Sequence, residues 1–150
     1  MPQFDHFGII APWYDRMTRN APRPEWADLL GVPFEGRLLD VGGGTGRVAQ
    51  SLGCATCALT VADVSRKMLK LAKAKPGLAS VCCAAEALPF PSKSFERIIM
   101  VDALHHVASQ PATAGELWRI LKPGGRLLIE EPNIQHFIIK GIALAEKILW

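Results

Sequence analysis

The stretch Leu38-Leu39-Asp40-Val41-Gly42-Gly43-Gly44-Thr45-Gly46-Arg47 constrains the fold more than any other. A short apolar run with β character ends in an acid. Four glycines follow within five positions, and helix formers (Val48, Ala49, Gln50, Ser51, Leu52) then take over. The pattern predicts a strand, a tight glycine turn and a helix start. In an open parallel α/β sheet such a turn lies at the carboxyl end of a strand, where ligands bind. Glycine suits it because so tight a turn needs positive φ, or because a ligand must approach backbone that carries no Cβ. The helix that follows points free N–H groups and partial positive charge at the turn. The glycines alone do not decide which ligand is held.

The rest of the chain repeats this alternation. Strands are expected over 37–41, 57–62, 79–83, 95–101 and 126–130, and helices over 45–53, 65–74 and 112–121, with a last helical segment over 134–150. Ser65 is a suitable N-cap. Pro76-Gly77 and Lys122-Pro123-Gly124-Gly125 stop the helices before them. Five strands separated by helices imply an α/β fold, a mostly parallel sheet with right-handed crossovers. Near-continuous apolar strands agree with burial on both faces. Residues 1–36 differ: they hold many of the aromatics (Phe4, Phe7, Trp13, Tyr14, Trp26, Phe34) and several prolines. Two short helices are expected there, about 4–20 and 24–31, with Pro22 and Pro24 between them. Residues 1–36 therefore read as an N-terminal helical lid segment on a ligand-binding domain spanning 37–150.

Length and charge narrow the class. At 150 residues the chain is one domain with room for a real core. The net charge of +3 is scattered. Its mild cluster at 66–75 has helical spacing and reads as the wet face of a helix, so no nucleic acid is expected as a partner. The N-terminus has no long apolar run and no stretch reaches the 18–20 residues of a membrane span. Segment 134–150 comes nearest but is interrupted by Lys140, Glu146 and Lys147. The expected location is the cytoplasm. Cys54-x-x-Cys57 with Cys82-Cys83 could be a zinc or redox site. Adjacent cysteines in a strand point to opposite faces, so both could hardly join one tetrahedral centre. The four are read as buried free thiols, and no metal is expected.

Acids close four of the strands: Asp40, Asp63, Asp102 and Glu130-Glu131. Carboxyl ends of parallel strands share one edge of the sheet. The expected binding edge is therefore acidic, which is odd for a phosphate and natural for a cationic ligand. A dinucleotide turn needs Gly-x-Gly-x-x-Gly, but the position three after Gly44 is Arg47, and no Gly-Lys-Ser/Thr phosphate loop occurs. Asp63, about 17 residues beyond the last glycine, suits a ribose diol in any nucleoside binder.

Five motifs in order then carry a resemblance. They are Leu38–Gly46; Val61-Ala62-Asp63-Val64-Ser65 with Met68-Leu69; Ala85-Glu86-Ala87-Leu88-Pro89-Phe90; Ser94-Phe95-Glu96; and Leu121-Lys122-Pro123-Gly124-Gly125. The set resembles the class I S-adenosylmethionine (SAM)-dependent methyltransferases of methyltransferase type 11, most closely the small-molecule group that includes the ubiquinone/menaquinone C-methyltransferases. Phe4-Asp5-x-x-Gly8 and Ala11-Pro12-Trp13-Tyr14-Asp15 echo that group's entry segment. The resemblance implies a Rossmann-like three-layer αβα fold with strand order 3-2-1-4-5. It also implies methyl transfer from SAM to a small-molecule acceptor, with S-adenosylhomocysteine (SAH) as product.

The resemblance also assigns residues. Asp40, Gly42, Gly43, Gly44 and Gly46 would hold the methionine portion, and Asp63 would accept both ribose hydroxyls. Val64 and Met68 would sandwich the adenine, the backbone at Ala85 would meet its edge, and Glu86 is also assigned to cofactor binding. Asp102 and Ala103 would lie beside the methionyl end and the methyl group, and Tyr14 would sit in the lid. Arg19 and Arg47 are candidates for the methionine carboxylate. Two departures are visible. Relatives often carry an acid where this chain has Ala84. The family's sheet also continues with an antiparallel strand pair past the fifth helix, so the domain reads as C-terminally truncated at Trp150, leaving strand 126–130 as an exposed edge through which homo-oligomers could form.

A sulfonium is already activated, so such an enzyme mainly positions its nucleophile and excludes water. Where a base is needed, His105 and His106 follow the fourth strand at the methyl-facing place. Glu131 could line the same pocket. His6 and His136 read as surface residues. A non-catalytic methyltransferase-like SAM-binding or scaffold module is the main alternative. An NAD(P)-dependent oxidoreductase lacks both the glycine spacing and a Tyr-x-x-x-Lys, since the only tyrosine is Tyr14. The apolar positions of 134–150 read as a core-facing helix rather than a lipid-binding one.

Overall fold

The computed structural model describes residues 23–132. The helix expected over 4–20, the lid residue Tyr14, Arg19, and the segment 134–150 lie outside the described residues. The described chain opens with α1 (Pro24–Leu30), which has proline in its first turn and buries Trp26 and Leu30, one turn apart. Gly31 ends it in the left-handed conformation, φ 66°. Arg97 Nε and Arg126 Nη1 donate to the carbonyls of Leu30 and Leu29 at that helix end, where the dipole favours cations.

Five strands follow: β1 (Gly36–Val41), β2 (Cys57–Asp63), β3 (Leu78–Cys82), β4 (Phe95–Val101) and β5 (Leu121–Glu130). They form one sheet in the order β3-β2-β1-β4-β5, every pair parallel. Helices α2 (Arg47–Ser51), α3 (Arg66–Lys73) and α4 (Gln110–Ile120) make three of the four crossovers, with a 3₁₀ turn at Leu104–His106, and residues 83–94 cross from β3 to β4 without a helix. This is the expected Rossmann-like α/β fold and the expected strand order.

The side-chain period of two assigns the core. Leu39, Val41, Ile98 and Met100 pack with Leu117 and Ile120 of α4 on one face. Leu38 and Ile99 pack with Trp26, Leu30, Val48 and Leu52 from α1 and α2 on the other. Each such fully buried aliphatic side chain contributes roughly 1.5–3 kcal/mol over exposure. Ser65 caps α3 by accepting from Met68 N at 3.3 Å, as its position predicts.

Three expectations need correction. Strand β5 begins at Leu121, not 126, because Leu121 already pairs with Phe95 and a register shift absorbs the Pro-Gly-Gly segment. Proline is tolerated there because β5 is an outer strand among the described residues. Helix α2 is shorter than 45–53, since three of the four turn glycines hold positive φ and delay its start. The cysteines are not four buried free thiols. The chain reverses between α2 and β2 and brings Cys54 and Cys57 into a disulfide, Cα–Cα 5.6 Å, while Cys82 is exposed and Cys83 half-buried.

Candidate functional site

The strand order reverses between β1 and β4, and a cavity of about 260 Å³ opens at the carboxyl ends of the strands there. Ligands of open α/β sheets bind at such switch points. Asp40 ends the central strand inside it, only 1% exposed, with Oδ2 accepting from Ala49 N at 3.1 Å. Gly43 passes directly over that carboxylate; a Cβ there would lie 2.5 Å from Asp40 Cγ. Burial pushes the Asp40 carboxyl up to about 7. The Ala49 amide opposes this, the Asp63 charge adds to it and Arg47 opposes it.

Asp63 ends β2 and ties the turn to the next helix. Its Oδ2 accepts from Gly44 N and its Oδ1 from Ser65 N, both at 2.8 Å. Gly42 (φ 68°) donates to Ala62 O at 2.7 Å and faces Ala103 across the cavity. The approach to Ala103 depends on glycine, because a Cβ at Gly42 would meet the Ala103 Cβ at 2.5 Å.

Most expected site residues converge on this cavity. Asp40, Gly42, Gly43, Gly44 and Asp63 form one side. Val64, Met68, Ala85 and Glu86 form the second, and Asp102, Ala103 and His106 the third. Arg47 lines it as well. Gly46 does not: it turns inward against Leu78, Val61 and Ala72, so it serves packing of the turn.

His105 also lies outside the wall. Its Nδ1 is 2.5 Å from Glu131 Oε2, and its ring rests against His106 with centroids 3.8 Å apart. Glu131, expected to line the pocket, instead accepts from the amides of Ala103 and Leu104. Glu86 lines the cavity while accepting from Ala108 N and Ser109 N. Asp102 adopts φ 52°, and its carboxyl is raised by burial, with Glu131 and Glu130 adding to it and His105 and Arg23 opposing.

Several wall residues carried no sequence signal. Cys83, Val107, Ala108 and Met100 are apolar or small, and nothing in their type marks a site. Cys83 could have been found only by its place beside Ala84-Ala85. Burial pushes its thiol up to about 11, with Cys82 and Asp63 adding to the shift.

A parallel sheet with a glycine turn after its central strand, an acid after the next, and a cavity at the switch point defines a Rossmann-like domain. Residues 39–129 match the family model described as a methyltransferase domain, and the chain belongs to that family. It is 32% identical, over 89% of its length and 64% of the relative's, to the ubiquinone/menaquinone biosynthesis C-methyltransferase UbiE of Geotalea daltonii. It is 36% identical, over 69% of its length and 44% of the relative's, to the demethylmenaquinone methyltransferase of Tropheryma whipplei. It thus spans less than two thirds of these relatives. A solved structure described as a SAM-dependent methyltransferase, possible histamine N-methyltransferase, from Thermotoga maritima aligns with TM-score 0.74 at 27% identity, over 92% of this chain and 66% of that one.

Proposed function

We propose that this chain binds SAM in the switch-point cavity and transfers its methyl group to a small-molecule acceptor. The observation that carries the reading is the cavity itself: a glycine turn without Cβ atoms, rimmed by Asp40, Asp63 and Asp102. An acid-rimmed cradle suits a ligand with an ammonium and a sulfonium and repels a pyrophosphate. When bound, SAM supplies an electrophilic methyl group on sulfur.

The chain's own residues do the rest. Asp63, held by the Gly44 and Ser65 amides, keeps acceptor capacity for a ribose diol. Val64 and Met68 offer apolar surface to adenine, with the Ala85 backbone at its edge; Ala84 adds no side-chain acceptor. Asp40 and the glycine turn face the methionine end. Asp102, Ala103 and His106 stand on the third side, where the acceptor's nucleophile must arrive, and His106 can take its proton if it carries one. His105 would reach that proton only through its neighbour.

The lid reading of 1–36 over a domain 37–150 has one support. Trp26 Nε1 donates to Glu130 Oε2 at 2.7 Å and Arg23 pairs with Glu130 Oε1 at 3.2 Å, so the described end of that segment enters at the ligand edge. Leu127 and Ile129 are exposed on β5, which supports self-association there. Among the described residues no helix is long and apolar enough to cross a membrane.

Calorimetric titration tests the reading. SAM and SAH are expected to bind at one site per chain. Binding of NAD with no binding of SAM would sink it. SAM binding without turnover across an extract screened by mass spectrometry would indicate a non-catalytic module.

A further inference from the structure

We infer that Glu131 is a positioning residue for methyl transfer: through its carboxylate it seats the turn 102–106, which closes the methyl end of the cavity onto the glycine turn. The inference rests on the reading that the cavity holds SAM.

Three observations converge. Glu131 Oε1 accepts from two consecutive amides, Ala103 N at 3.1 Å and Leu104 N at 2.7 Å, while Oε2 meets His105 Nδ1 at 2.5 Å. The residue before this set, Asp102, has φ 52°, a conformation that side-chain-bearing residues keep only where the surroundings impose it. The residue that emerges from the turn, Ala103, faces Gly42 so closely that any Cβ there would sit 2.5 Å from its own. The carboxylate therefore fixes where Ala103 stands, and Ala103 fixes the gap at the methyl end.

The arrangement is not shared evenly along the loop. Glu86 holds the far end through Ala108 N at 2.6 Å and Ser109 N at 3.1 Å. His106, which lines the cavity, lies between the two anchors. Towards an ionised carboxylate, which has only acceptors, His105 Nδ1 carries the hydrogen, in the neutral ring and the charged one alike. The contact orients the ring against His106. Glu131 itself is not part of the cavity wall, so it acts through the backbone and through His105.

The test combines amide exchange with binding of three probes: SAM, SAH and methylthioadenosine, which lacks the amino-acid portion. Glu131→Ala should speed exchange at Ala103 and Leu104 by about tenfold or more, the loss of a charge-assisted acceptor, while Ala108 and Ser109 keep their protection. SAM and SAH, whose amino-acid portion lies at the end that Ala103 closes, should weaken by about tenfold, and methylthioadenosine, which lacks that portion, hardly at all. Glu131→Gln keeps a carbonyl for the two amides but turns an NH₂ group towards His105. It should restore amide protection and most SAM affinity, and reverse the His105 tautomer in ¹⁵N NMR.

Unchanged exchange at 103 and 104 in Glu131→Ala overturns the inference. So does an equal weakening of all three probes, which would mark general loss of fold. If Glu131→Ala does not fold, Glu131→Gln decides: a reversed His105 tautomer supports the assignment, and an unchanged tautomer overturns it. If the unaltered chain binds none of the probes, the SAM reading fails instead, and the exchange data still judge the seat of the turn.

Discussion

Two glycine-rich turns stand at opposite ends of the sheet, and they use glycine differently. In Gly42–Gly46 the missing side chains make room. Cβ atoms at Gly42, Gly43 and Gly46 would each come to 2.5 Å from Ala103, Asp40 and Leu78 respectively. In Lys122-Pro123-Gly124-Gly125 the use is divided: a Cβ at Gly125 would lie 2.7 Å from Leu121 Cδ1 and 2.8 Å from Lys122 O, whereas Gly124 has nothing within 4 Å of its Cβ position and is there for its φ of 74° alone. One turn is packed closely on its surroundings, and on the proposed reading it is the mould for SAM; the other holds, at Gly124, a bend in the chain. Substitutions that treat the two alike should therefore separate them.

Gly42→Ala should do the most damage. It combines a left-handed φ, costing a side-chain-bearing residue about 1–2 kcal/mol, with an overpacking cost of about 1–3 kcal/mol against Ala103. Ala103 cannot swing away, because its amide is held by Glu131. The expected outcome is a loss of roughly 2–5 kcal/mol in chemical denaturation, with SAM binding abolished. A variant that keeps both stability and affinity would show that the turn is not a close-fitting wall.

Asp63→Ala comes next. It removes an acceptor from Gly44 N and Ser65 N and, on the proposed reading, from the ribose. Charge-assisted hydrogen bonds contribute about 1.5–3 kcal/mol each, so calorimetry should show SAM weakened by roughly ten- to a hundredfold. An unchanged dissociation constant would mean that the ribose lies elsewhere.

The same contrast explains how much the sequence made legible. Strand order, the acids at the strand ends and the Ser65 cap follow from local patterns: apolar runs, turn residues and spacing. The cavity wall from the glycine turn to Ala85 was legible for the same reason, since the motifs lie at strand ends. The roles of Glu131 and Glu86 were not. Each acts on backbone 22–28 residues away in sequence, and no periodicity reports which amide a carboxylate will reach. His105 and His106 are neighbours of one type, and only the turn decides that His106 faces the cavity. The Cys54–Cys57 bridge escaped because pairing depends on how the chain reverses, and residue type does not reveal that.

Asp40 should give a smaller, pH-resolved effect. Its carboxyl is raised from 3.8 to about 7 in the folded protein. The folded state therefore keeps a proton that the unfolded state releases. The stability this provides is complete below about pH 4 and is lost as pH rises to about 7. Asp40→Asn should flatten that slope in urea titrations followed by fluorescence. A bound cation favours the ionised form, so SAM affinity should rise about tenfold from pH 6 to 8 in the unaltered chain, with Asp63 and Arg47 as the charged neighbours. Affinity that is flat across this range would place the ammonium away from Asp40.

Gly124→Ala closes the comparison with the smallest effect. The site has open space for a methyl group, so only the backbone conformation is penalised, by about 1 kcal/mol. Residues 122–125 form the irregular first part of β5, directly after α4 and at the end of the sheet opposite the cavity, where Phe95 pairs with Leu121. Nothing in it reaches the ligand. The midpoint of thermal unfolding should fall by a few degrees, with SAM affinity unchanged. Weaker SAM binding in Gly124→Ala would show that the register of β5 sets where Glu130 and Glu131 emerge, and would make the bend a remote part of the mould.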